Sequence, residues 1–378
     1  MFKVGKCVAI ALRLLVAELA LLSCANAKLL ANIFSEPTLE LQKSLSKVFD
    51  ERCNSLVKVT SLKKADNSAE YYETASGFFV SQDGAVLTTA LVTYGASKIW
   101  VENQGVVYEA KSLGFDPFTG VSVIKIYGDK RPESPSFIEL TPVKDLPKIA
   151  TMLFSISCEL GFSPSPRLGI LSGHNINLGN TILPSVYIRS NIPSFRGSIG
   201  GAVFDVNGEF VGMTIASLPA NHGSFIIPRN VLVKIYSDII NHSRVVYSWF
   251  GLNTKNADCG GRSFVKITHI FENAPADTAG LKVGDVIKKV DSVEINSNLQ
   301  LRSLVFFMKP GQSVNFEVFR DGKTLQTTLK LVEMSPSQMQ GALRKFDELQ
   351  RRNRNICNKS KGSDIESQTL ENMMPEAN

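Results

Sequence analysis

Histidine is scarce in this chain: four among 378 residues, and none between residues 50 and 140, so an imidazole base has few positions to come from. The six cysteines form no CxxC pair and no Cys/His spacing of the zinc type, so no metal site is indicated. One-sided charge is lacking too. Lys and Arg outnumber Asp and Glu by only 41 to 35 and are scattered except near the C-terminus, which argues against a nucleic-acid role. What is present is an ordinary globular balance, 44% hydrophobic and 20% charged, which excludes disordered, collagen-like and disulfide-scaffold classes. The length suits two or three domains.

Residues 1–27 read as an export signal, with Lys3 and Lys6, an apolar stretch, and the small-x-small site Ala25-Asn26-Ala27. Arg13 and Glu18 interrupt the stretch, which counts against a stable membrane span. Leu21-Leu22-Ser23-Cys24 also has the shape of a lipobox. Cleavage, lipidation at Cys24 and retention as an anchor stay open, and each takes the protein out of the cytoplasm, to a bacterial periplasm or envelope. In an oxidising compartment Cys53, Cys158, Cys259 and Cys357 could pair, and their spacing selects no pairing over free thiols.

Residues 28–50 carry Leu39, Leu41, Leu45, Val48 and Phe49 at helical spacing, a lead-in helix. From 51 to 240 short apolar runs such as Ser55–Ser61, Val86–Thr89, Val121–Ile126 and Phe210–Ile215 alternate with turn residues, which predicts a mainly β sandwich or barrel. Gln82-Asp83-Gly84 and Val206-Asn207-Gly208 mark hairpin turns. Asn230–Ile240 reads as a closing helix and Asn241–Ser248 as a linker to a second unit, 249–334. Residues 335–378 form a polar tail, with an amphipathic patch at Leu343, Phe346 and Leu349 and a basic stretch from Arg344 to Lys361. A basic amphipathic helix can lie on a membrane surface, but a solvated face is the simpler expectation, with disorder beyond 361.

The run Ala75–Thr88, Gly114-Phe115-Asp116-Pro117, Leu168–Gly173 and Gly200–Glu209 together resemble HtrA/DegP-type serine proteases in order and spacing. The resemblance implies a trypsin-like double β-barrel with a cleft between the barrels. Such a site needs a base, an orienting carboxylate and a serine beside oxyanion donors. The matching positions here are Leu91, Gly120 and Ile199, and the oxyanion loop matches Gly197, Ser198 and Ile199. The expectation is therefore a protein without protease activity, although the family suggests an active serine endopeptidase. Ser198 paired with His222 is the remaining route to catalysis, and a solvent-facing loop histidine beside Asn221 is the plainer reading.

Residues 249–334 resemble a PDZ domain, a small α+β sandwich, through Asn273–Ile287 and the helix stop Lys309-Pro310-Gly311. The resemblance implies that a peptide C-terminus adds as a strand, with its carboxylate on the loop Trp249, Phe250, Gly251 and Leu252. Leu301, Leu304 and Val305 would line the groove, Phe250 being the better ligand residue and Leu252 and Leu301 partly core. The implied partners are unfolded polypeptides or their C-termini, and the implied role is holdase, adaptor or regulator. Membrane association through an anchor, lipid or basic tail is a further possibility. The family also implies trimers built on the lead-in segment, for which Leu39, Leu41 and Phe49 are the candidates. No cofactor is expected.

Overall fold

The computed structural model describes residues 36–360 apart from 65–68, 129–131, 133–134, 179–180, 196, 219–222 and 260–261. The export signal, Asn221, His222 and the chain beyond 360 lie outside the described residues, as do the side chains of Cys259, Leu349 and Cys357. Cys53 and Cys158 are free thiols.

Helix α1 (36–52) leads into the first barrel, which closes from β1 (Leu56–Lys64), β2 (Glu70–Phe79), β3 (Ala85–Thr89), β6 (Val121–Ile126), β5 (Val106–Phe115) and β4 (Ala96–Asn103) in that spatial order. Helix α2 (Ala90–Thr93) follows β3. Period-two alternation on β1 turns Val57, Val59, Ser61 and Lys63 inward. Val57, Val59, Phe79, Val86, Val101 and Ile124 fill the barrel. The second barrel closes from β10 (Ala202–Asp205), β11 (Phe210–Leu218), β12 (Gly223–Pro228), β9 (Thr181–Ser190), β8 (Ser165–Leu178) and β7 (Met152–Ser157). The turns at Gly84 and Gly208 have φ of +86° and +82°, as the sequence requires of them. A core shared by both barrels, including Phe78, Leu87, Ile156 and Phe204, continues onto α3 (Arg229–His242) through Val231, Leu232 and Ile235.

The lead-in helix packs on its own second barrel: Ser44 Oγ donates to Val206 O (2.6 Å), and Val48 is buried beside Gly208. Phe49 packs against the shared core, while Leu39 is 51% exposed. Of the three candidate assembly residues, Phe49 is thus engaged within the chain.

The smaller domain is a sheet in the order β14 (Leu252–Cys259), β15 (Arg262–Ile270), β16 (Val286–Val290), β18 (Ser313–Arg320), β19 (Lys323–Lys330), with β17 (Val293–Glu294) on β16. Helix α4 (Pro275–Thr278) starts at Pro275, and α5 (Asn298–Phe307) is capped by Ser297 Oγ. Strands β13 (Ser248–Trp249) and β20 (Val332–Glu333) pair, so the domain's entry and exit lie side by side. No helix among the described residues is long and apolar enough to cross a membrane.

Two segments differ from expectation. The linker 241–248 is built into the protein: Val245 and Tyr247 are buried, because the Tyr247 hydroxyl donates to Asp116 Oδ2 (2.8 Å) across the interior. The polar tail begins as helix α6 (Pro336–Ser360), whose Ala342 and Phe346 are buried against the first domain.

Asp116 also receives Thr119 Oγ1 (2.6 Å), Thr119 N (3.1 Å) and Phe118 N (3.2 Å). Burial pushes its carboxyl above the usual carboxylate range, against the pull of these donors. Burial, with Asp116 close by, pushes the Tyr247 hydroxyl well above its ordinary value, so it stays protonated and donating. Replacing Tyr247 by Phe should lower the unfolding free energy by about 1.5–3 kcal/mol, and Asp116→Ala should cost more by leaving several donors unpaired. Urea denaturation of the full chain measures both.

Candidate functional site

The three positions that the resemblance matches to a protease site lie on turns that hydrogen bonds tie to their neighbours. At the end of β3, Thr89 Oγ1 accepts from Leu91 N (3.2 Å), which starts the α2 turn and leaves Leu91 half-buried. Ala90 N donates to Gly120 O (2.7 Å), which joins that turn to the 116–120 loop held by Asp116. Ser76 N donates to Ile199 O (2.9 Å) and Ser76 Oγ to Gly197 O (2.6 Å), so β2 holds the 197–201 turn of the second barrel. A Cβ on Gly200 would stand 2.0 Å from Ser76 O, so the strand and turn approach too closely for any other residue.

The side chains at these positions are a leucine, a glycine and an isoleucine. Gly120 has φ of +74°, and a Cβ there would meet the Phe346 ring at 3.6 Å, so an aspartate would be strained and would face an aromatic ring. Ser198 is only 4% exposed. Its hydroxyl bonds to Ser194 Oγ (2.8 Å) and Phe195 O (2.8 Å) and accepts from Phe195 N (2.9 Å), which turns it into its own loop. His222 lies outside the described residues, so the Ser198/His222 pair has no geometry here.

Beneath α2 lies Lys63, whose ammonium donates to Leu91 O and Glu73 Oε2 (2.9 Å). It ties the α2 turn to β2, and its place on the inward face of β1 was readable only as a register position. Sequence reasoning also missed Tyr247 and the packing of Phe346; the amphipathic patch in the tail was the signal for the latter.

In the smaller domain, β14 has one partner strand, β15, and its other edge runs beside α5. Asn298 Nδ2 donates to Thr254 O (3.0 Å), fastening the start of α5 to that edge, and Ser248 Oγ donates to Met308 O (2.8 Å) at the other end. Leu304 and Val305 are half-buried against the domain core, and Leu301 is fully buried. Phe250 corrects the expectation: it belongs to the core, buried and edge-on to Phe316 at 5.1 Å, because the turn at Gly251 (φ +81°) points it inward. Trp249 is half-buried and stacks near Phe271 at 5.3 Å. The carbonyls of Phe250 and Gly251 accept from Ala276 N and Phe271 N, whereas their own N–H groups have no acceptor among the described residues.

Two six-stranded barrels followed by this sheet and helix define a trypsin-like peptidase domain joined to one PDZ domain. The trypsin-like peptidase domain family matches residues 75–213, and the PDZ domain family matches residues 250–331. A probable periplasmic serine endoprotease DegP-like of Chlamydia trachomatis serovar D is 27% identical over 284 residues, covering 72% of this chain and 56% of the relative. The protein of the same name from Ectopseudomonas mendocina is 31% identical over 271 residues, covering 67% of this chain and 56% of the relative. Among solved structures, the HtrA-type protease AlgW with tripeptide superposes with a TM-score of 0.64 at 22% identity, covering 77% of this chain and 98% of that one. The chain is a homologue of the HtrA/DegP-type serine endoproteases and spans little more than half the length of the curated relatives.

Cys158 stands at the wall of the cleft, its N–H donating to Ser76 Oγ (2.7 Å). Burial pushes its thiol up to about 12. At pH 8 iodoacetamide should leave Cys158 unmodified in the folded protein and alkylate it in urea, read by peptide mass spectrometry.

Proposed function

We propose that this chain is an exported HtrA-like protein that binds polypeptide C-termini and does not cleave them. The observation that carries the reading is the Ser198 hydroxyl bound inside its own loop, next to Ile199, which the resemblance matches to the nucleophile position. Loss of the serine or histidine of a triad costs about 10⁶ in turnover. Binding is supported by the two unpaired N–H groups at Phe250 and Gly251, the open edge of β14 and the apolar Leu304 beside it. Export is supported by the signal pattern of residues 1–27 and by the periplasmic relatives. The role that follows is adaptor, holdase or regulator in envelope protein quality control. An active serine endopeptidase is the second reading, favoured by the names of the relatives.

Fluorophosphonate labelling and casein cleavage separate the two. Both should stay at background, Ser198→Ala should change nothing, and Ile199→Ser alone should remain inert for want of a base. Labelling that disappears in Ser198→Ala supports the endopeptidase instead. For binding, amidating a peptide ending in Val, Leu or Phe should weaken it about ten- to a hundredfold, the worth of a charged hydrogen bond at roughly 1.5–3 kcal/mol. Equal affinity for free and amidated forms, by titration of the full chain, refutes recognition of C-termini.

A further inference from the structure

Phe346 sits in a pocket built by Tyr94, Phe115 and Gly120 of the first barrel and Ile215 of the second. Its ring meets Tyr94 edge-on with centroids 5.4 Å apart and lies 5.6 Å from Phe115, while Tyr94 and Phe115 are 4.9 Å from each other. The floor is Gly120: the space a Cβ would take there lies 3.6 Å from Phe346 Cε2 and 3.8 Å from Ile215 Cδ1. Phe346 is thereby buried to 5% exposure. The neighbouring Asp347 carboxylate faces the Tyr94 hydroxyl, and Ala342, one turn earlier on the same helix face, is buried as well.

Elsewhere along this stretch Met339, Leu343 and Asp347 are half-buried and the opposite face is open to water. Gln338, Gln340, Gly341, Arg344, Glu348 and Arg351 are exposed. A helix anchored chiefly through Phe346 and Ala342, with Met339 packed at its start, is an element that can open locally without global unfolding. Its sequence alone does not keep it folded, since isolated helices owe most of their stability to packing.

We propose that the Tyr94–Phe115–Ile215 pocket over Gly120 is a binding site for an amphipathic helical segment, which the chain fills in cis with Phe346 of α6. The occupant it fits is this chain's own segment, with Phe346 as the aromatic anchor, Asp347 directly after it beside Tyr94, and Ala342 one turn before. The pocket lies on the wall of the inter-barrel cleft, so a docked α6 also covers the position matched to the catalytic aspartate. This site is separate from the β14–α5 groove and stands whether or not that groove reads C-termini.

The probe is a fluorescein-labelled peptide of residues 336–351, titrated by anisotropy against the full chain, wild type and Phe346→Ala. With the cis side chain removed, the peptide should bind at least roughly tenfold more tightly than to wild type, the worth of a buried aromatic ring. The same peptide carrying Phe346→Ala should bind neither protein. Hydrogen exchange should show α6 amides opening faster in the variant, with β3 and β6 unchanged as the control for folding. Should Phe346→Ala misfold, Ala342→Arg displaces the helix without touching the barrels and should give the same gain. Equal affinity of the peptide for wild type and variant, or equal binding of the peptide lacking its phenylalanine, overturns the proposal. Wild-type α6 amides that exchange as fast as a free helix overturn it as well.

Discussion

A single buried carboxylate organises the larger domain and its connection to the smaller one. Asp116 receives two backbone N–H groups and the hydroxyl of Thr119 from its own turn, and the hydroxyl of Tyr247 from a segment 131 positions later. No cation stands among these partners; the acid is surrounded by neutral donors, each oriented by the chain around it. A buried polar group with its partners in place is tolerated, and the same group with one missing is costly. The arrangement therefore specifies the loop that presents Gly120 and the path of the chain out of the second barrel together.

That coupling explains why the two domains form one body at their junction. The chain enters the smaller domain past Tyr247, whose ring packs on Phe118 and Phe306, and Phe306 comes from α5 of the smaller domain. It leaves at β20, Met334 N donates back to Tyr247 O (2.8 Å), and α6 returns to the first barrel at Phe346. Entry and exit are thus fixed to neighbouring places on the larger domain.

The cleft shows how a peptidase scaffold keeps its form with apolar side chains at the matched positions. The 197–201 turn is fixed by Ser76 and by Gly200, whose contact with Ser76 O admits no side chain, and neither depends on what residue 199 carries. The loop at Gly120 depends on Asp116 in the same way. An apolar side chain at such a position carries no desolvation cost, so the fold there does not depend on a charged group.

The double barrel, the PDZ domain and the hairpin turns were legible in the sequence, because strand alternation, turn glycines and motif order are local properties. Position-by-position matching also named Phe250, yet only the packed structure turned it away from the groove, since Gly251 bends the backbone and Phe316 supplies the edge it packs on. Residues 241–248 were read as a linker and the tail as a solvated face, but composition cannot report a partner more than a hundred residues away. Tyr247 is buried because Asp116 needs a donor, and Phe346 because Gly120 leaves room above it. Those two contacts exist only once the barrels have closed and brought distant segments together.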